Sequence, residues 1–343
     1  MTTPKHIDHI LVHWGEDVIW QERKPVVRSR DDSLAVLMRL GKTLGRGVSP
    51  QTGLTPQAVR DHLVGLVKAS PQVMVKIMGG GSDMKHIGAH FDYIARVGHF
   101  KKDNEPEIEL ETDDGLVVRD KADRAMLKEF WRLAGVPIPQ EIKVLQGPEV
   151  NSTKPIRAAL NIVLSMSEGA NRENVKAAAR ATAKEQFENH QFVMAHHGDT
   201  ANPHTHLVVK MIGFDGQRLK HSLTELTRWR IAFAKHLNAL GVEAVATRRS
   251  TRFERQRSDS TAVRKMKESG VLPQRIKEMP KQSAAKTRAL TNEEKARTAY
   301  LNIAQALLDS SEQSDKLLGK ELYRWMQQHG VEFKLAPKLR IQR

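Results

Sequence analysis

The stretch HHGDTANPHTHLVVK, residues 196–210, constrains this chain more than any other, because it sets the imidazoles of His197, His204 and His206 and a carboxylate around one short turn. Alternating apolar residues enter it from Phe192 to His197 and leave it from Thr205 to Ile212, with Gly198, Asp199, Asn202 and Pro203 supplying turn chemistry between them. The pattern predicts an antiparallel hairpin with a loop over residues 198–203. His197 then lies opposite His204. Residues two apart in a strand share a face, so His204 and His206 project together, and His197 points into the same space from the neighbouring strand. Three neutral imidazoles converging from a rigid hairpin make an open metal site, with positions left for water or a phosphate oxygen. Scattered surface histidines are the bland alternative, and the matched strand parity favours the metal. Asp199 fits two roles, a turn former or a carboxylate that orients a histidine or accepts a proton.

Charge narrows the partner. The chain has a formal net charge of +15 over 343 residues and only 5% aromatics. So basic a balance calls for a polyanion, and with no run of apolar residues long enough to span a bilayer the polyanion is nucleic acid rather than a membrane surface. Cysteine is absent, which excludes thiol chemistry and a disulfide framework and fits a reducing cytoplasm. The N-terminal MTTPKHIDHILVHWGEDV lacks the apolar core of a signal peptide, so the expected location is cytoplasmic.

The chain reads as an N-terminal helical and linker extension (1–70), a catalytic domain (71–250) and a basic linker with C-terminal helices (251–343). GKTLGRG (41–47) lacks the spacing of a phosphate-binding loop and reads as linker, and Thr55-Pro56 starts a helix with Val59, Leu63, Leu66 and Val67 on its stripe. QVMVKIM (72–78) is a strand ending in Gly79-Gly80-Gly81-Ser82. A helix from about Asp83 to Val97 follows, with Ile87, Phe91 and Ile94 on its core stripe and His86, His90 and Tyr93 along its flank. Tyr93 alone reads as a packed tyrosine; beside a metal hairpin it becomes a candidate nucleophile. Residues 101–117 read as an acidic surface excursion, and Asp120 caps a helix through Ala125, Met126, Phe130 and Leu133.

The nearly continuous apolar run from Ala158 to Leu164 marks a central strand. It delivers Ser165 toward a helix capped by Asn171, where a hydroxyl either holds a phosphate or closes an ordinary turn. Ser222-Leu-Thr-Glu225 is a capping box for a helix carrying Leu226, Trp229, Phe233, Leu237 and Leu240. From Arg248 to Arg288 thirteen Lys or Arg stand against four Asp or Glu, a density suited to a phosphate backbone. Thr291 to Glu294 reads as another capping box, and the chain ends on basic KLAPKLRIQR. With a hairpin in its middle, the sheet is at least partly antiparallel and backed by helices.

A tyrosine after GGGS, a serine after an apolar strand and His-x-Asp-x4-His-x-His, in that order, resemble the relaxases, the mobilisation nucleases of conjugative plasmids and of T-DNA transfer. The matching stretches are VMVKIMGGGSDMKHIGAHFDYIARVG (73–98), LNIVLSMSEG (160–169) and HHGDTANPHTHLVV (196–209), and the likeness covers about 73 to 250. The resemblance implies an α+β fold, a two-layer sandwich with a central, mainly antiparallel sheet, shared with rolling-circle replication initiators. It implies a metal-dependent enzyme that nicks one DNA strand at an origin of transfer. Tyr93 takes the nucleophile's place, His197, His204 and His206 those of the ligands to a divalent metal (Mg²⁺ or Mn²⁺), Asp199 that of the carboxylate beside them and Ser165 that of the second-motif serine. The implied partners are single-stranded or supercoiled DNA at that origin, relaxosome accessory proteins and the coupling protein of a type IV secretion channel, without membrane insertion; export with the DNA to a recipient cell belongs to the same expectation. Two departures stand out: Lys210 occupies a position where many members have Asn, and some 70 residues precede the first strand.

Two other classes compete. A non-catalytic, basic DNA-binding accessory protein explains the charge but not the open three-histidine geometry. A metal-dependent hydrolytic nuclease explains the metal, with water attacking and Tyr93 structural.

Overall fold

The computed structural model describes residues 4–20, 54–98, 107–142, 156–248, 251–253, 266, 269–270 and 284–331. Its helices and strands, in chain order, are α1 (Pro4–Gly15), continued by a π-helical turn (Glu16–Trp20), α2 (Pro56–Val67), β1 (Met74–Gly79), α3 (Met84–Ile94), β2 (Leu110–Thr112), β3 (Val117–Val118), α4 (Lys121–Leu133), β4 (Ala159–Ser165), α5 (Arg172–Gln186), β5 (Phe192–His197), β6 (His204–Lys210), α6 (Leu223–Ala239), α7 (Ala284–Leu308) and α8 (Gln313–Gln328). They form two compact units. One comprises Ser70–Ala246, the other Met1–Ala69 with Thr247–Arg343.

The first unit is an α+β domain around a six-stranded open sheet, order β1-β4-β6-β5-β2-β3, antiparallel at every pairing. Strand parity sorts its side chains. Val73, Val75, Leu160, Ile162, Leu164, Phe192, Met194, Leu207 and Val209 pack on one face with Val175 and Ala179 of α5 and Trp229 and Phe233 of α6. Ala159, Val193, Ala195 and Val208 pack on the other face with Ile87, Phe91 and Ile94 of α3 and Leu127 and Trp131 of α4. The interior strands are buried on both faces, which is why β4 reads as an unbroken apolar run.

Two elements in this unit differ from the sequence expectation. Residues 110–118, inside the acidic stretch, form β2 and β3, and β2 pairs with β5 through Leu110↔Ala195. Strands of three and two residues are too short to show alternation. In α4 the buried residues are Arg124, Leu127 and Trp131, whereas Met126, Phe130 and Leu133 are 67%, 61% and 53% exposed. The helix carries two apolar stripes, and periodicity selects the outer one.

The GGGS turn positions α3. A Cβ on Gly80 would meet the Ala159 carbonyl oxygen at 2.1 Å, and one on Gly81 would meet Ile87 Cγ1 at 2.6 Å. Only glycine lets the chain pass this close to the start of β4, where the Gly81 carbonyl accepts from the Ala158 and Ala159 amides at 2.8 and 3.0 Å. Asp83 then caps the helix through the His86 amide, its second oxygen accepting from the Ile142 amide at 3.0 Å. From this anchor α3 runs back along the sheet toward the start of β1.

In the second unit α1 packs on α2 and α7, α8 packs on α2 and α7, and Arg60 of α2 bridges Asp315 at 2.8 Å and Asp8 at 2.9 Å. Phe253, Tyr300 and Trp325 form its aromatic centre. α7 begins at Ala284, upstream of the expected capping box, because the preceding AAKTRAL is itself a good helix former. The linker reading of GKTLGRG, most of the basic run and the basic tail fall outside the described residues. Among the described residues no helix is long and apolar enough to cross a membrane.

Candidate metal and nucleophile site

The hairpin forms as its pattern predicts. In β5–β6 His197 pairs with His204, and in β4–β6 Ser165 pairs with the same His204, so three neighbouring strands hold His197, His204 and Ser165 abreast. Directly paired residues share a face, and His206, two residues along, shares it too. The rings of His197, His204 and His206 lie 4.7–5.1 Å apart, centre to centre. One nitrogen from each falls within 4.8 Å of the others.

The hydrogen bonds set which ring nitrogens carry hydrogen. His197 Nε2 lies 2.7 Å from the Ile94 carbonyl, which can only accept, so Nε2 carries the hydrogen and Nδ1 keeps a lone pair. His204 Nδ1 donates in the same way to the Asn202 carbonyl at 3.0 Å, leaving Nε2. Burial, with the neighbouring imidazoles adding to it, lowers the His206 pKa to about 3 and the His197 pKa to about 4, so both rings are neutral at pH 7. Three imidazoles on one strand pair, two of them oriented by backbone carbonyls, form a donor set that fits a divalent ion. The adjacent His196 faces the opposite side, where its Nδ1 meets Thr205 Oγ1 at 3.0 Å.

The same face receives α3. Tyr93, 47% exposed, sets its ring edge-on to His206 at 6.0 Å and stacks on His90 at 5.5 Å. His90 in turn lies 6.4 Å from His206. A residue more than a hundred positions upstream in sequence thus reaches the hairpin because the glycine turn reverses the chain and α3 carries it back. Ser165 is buried, its hydroxyl donating to the Met166 carbonyl at 3.4 Å.

Two residues here stand out that the helix flank places near Tyr93 but to which the family resemblance gives no role. Arg96, just past the end of α3, has φ +55°, a left-handed conformation that costs a non-glycine residue free energy. That backbone aims its guanidinium at the hairpin, where it holds both oxygens of Asp199 and reaches His197 Nδ1 at 3.5 Å. Arg96, and burial to a lesser and opposing degree, set the Asp199 carboxyl below the usual carboxylate range. The second is His90, whose burial lowers its pKa. Its signal in sequence is the spacing to Tyr93, three residues on along one helix flank.

Lys210 does not belong to this cluster. It sits at the far end of β6, and its ammonium donates to the Trp131 carbonyl at 3.0 Å and to that of Ala134, closing the end of α4.

Among comparisons with known proteins, the family model of the relaxases, MobA/VirD2-like, nuclease domain, matches residues 145–241. That segment contains Ser165, Asp199 and the three clustered histidines but not Tyr93. Over those residues the chain is similar to a relaxase nuclease domain. No curated protein matches.

Proposed function

With a relaxase nuclease domain over residues 145–241 as the premise, we propose that this protein nicks one strand of DNA by transesterification, Tyr93 attacking the phosphodiester. The observation that carries the reading is the Tyr93 ring 6.0 Å from His206, beside three imidazoles able to hold an ion. The origin of transfer, the accessory and coupling proteins, and Ser165 as a phosphate contact remain part of this proposal. So does a catalytic domain of about residues 71–250.

His197, His204 and His206 would hold a divalent ion, which would supply neutralisation of the charge that develops on the phosphate. Imidazole donors suit Mn²⁺ better than Mg²⁺, which prefers an oxygen shell, so Mn²⁺ is the expected better activator of the two. The phenol of Tyr93, with a reference pKa near ~10, needs a proton acceptor. Asp199, held by Arg96, is the weakest base available. His90 is neutral, lies against the phenol ring and stands outside the three-histidine set, so it takes the proton. The Tyr93 oxygen then forms a bond to phosphorus while the 3′ oxygen leaves and is protonated, giving a 5′-phosphotyrosine and a free 3′-hydroxyl. Because the new ester retains the bond energy, the 3′-hydroxyl can reverse the step without ATP.

The test is a nicking assay on supercoiled plasmid carrying the origin, with Mn²⁺, stopped with detergent. Open circles carrying protein on the 5′ end, absent with Tyr93→Phe while DNA binding persists, are the expected result. Free 5′-phosphate ends with no protein attached would instead assign a hydrolytic nuclease, and binding without cleavage an accessory protein.

A further inference from the structure

The outer stripe of α4 has no role in the nicking reaction and no place in the core. Met126, Phe130 and Leu133 recur at helical spacing, which is how a core face is written, yet each is more than half exposed. Leu116, at 62% exposed, and Phe214, at 64%, lie beside them, and between the helix and strand β3 opens a cavity of about 270 Å³. Gln191 and Ala134 are at its wall, so it sits by the Phe192 end of β5. The histidines occupy the opposite end, five residues along the strand, or roughly 16–17 Å at the rise of a strand.

The charge lining this cavity runs against that of the chain. Asp113, Asp114 and Asp123 line the cavity, and no Lys or Arg does among the described residues, in a chain of net charge +15. DNA is excluded by the sign. A second copy docking the same patch about a two-fold axis would set aspartates against aspartates. What complements an apolar stripe, an anchoring cavity and an acidic rim is a segment that is apolar on one face and basic at its edges.

We infer that the Met126–Phe130–Leu133 face of α4 is a docking surface for a basic amphipathic helix of a partner protein, which seats a large apolar side chain in the cavity and sets Lys or Arg against the three aspartates. The inference stands apart from the nicking reaction, since docking here leaves the histidine end of the sheet free.

The test titrates the full-length protein into a fluorescein-labelled amphipathic Leu/Lys helix peptide at low salt and follows anisotropy, with a Leu/Glu peptide of the same pattern as control. Binding of the Leu/Lys peptide alone is expected, weakened about tenfold or more by Phe130→Asp and by Met126→Asp. Both residues are exposed, so the variants keep their melting temperature and their nicking activity. Failure of this inference is thereby distinguished from failure of the transesterase reading. Undiminished binding in both variants, or equal binding of the Leu/Glu peptide, overturns the proposal. A wild-type dimer in sedimentation that Phe130→Asp dissociates also overturns it, by giving the face to a second copy.

Discussion

Arg96 occupies the position after a helix end where glycine usually sits, and its cost in backbone energy is offset by what its side chain reaches. Three hydrogen-bonding links join the end of α3 to the hairpin: the guanidinium on Asp199, the same guanidinium on His197 Nδ1, and the Ile94 carbonyl accepting from His197. Such outer contacts typically govern metal affinity by about 10–100-fold. Arg96→Gly should therefore relax the backbone yet weaken Mn²⁺ binding by roughly that range, read by calorimetry without DNA; unchanged affinity would sink this positioning role. His204→Ala, which removes one of the three proposed ligands, should abolish stoichiometric Mn²⁺ binding while leaving the far-ultraviolet circular dichroism of the apo-protein intact.

At the scale of elements, the glycine turn decides whether the tyrosine reaches the site. A methyl at position 80 would meet backbone rather than a yielding side chain, so Gly80→Ala must shift either the turn or β4. The expected outcome is a loss of about 1–3 kcal/mol in urea unfolding, together with a larger fall in adduct formation than in metal binding, because α3 moves and the hairpin does not. Lys210 acts at the other end of the sheet, as a buried cation on the carbonyls that close α4. Lys210→Met should lower stability and leave Mn²⁺ affinity unchanged, the reverse of the Arg96 pattern.

For the whole molecule, burial lowers the pKa of His62, His196 and His197 to about 4 and of His206 to about 3, and shifts His90 and His190 in the same direction. An unfolded histidine titrates near ~6.5, so between about pH 6.5 and 4 the unfolded chain binds protons that the fold refuses. Stability is fully present above that window and falls as pH drops through it. The metal-free protein should melt several degrees lower at pH 5 than at pH 7.5, and His62→Leu should flatten part of that slope; a melting temperature flat across the range would contradict the neutral assignment.

Much of this was legible in one dimension because it is written in local rules. Strand parity paired His197 with His204 and put His206 beside them, start signals at Thr55, Asp120, Asn171 and Ser222 marked helix starts, and an unbroken apolar run marked β4 as interior. Parity and capping depend on neighbours within a few residues, so sequence determines them. What tertiary structure alone decided is which surfaces meet across long separations. Periodicity reports that α4 has an apolar stripe, but not which of its two stripes faces the sheet. It reports a basic Arg96 after Tyr93, but the left-handed backbone that turns the guanidinium onto Asp199 arises from packing across a hundred residues. Nor does any local pattern say that α1 and α2 pack with α7 and α8 in one unit, since that depends on the complementarity of whole faces.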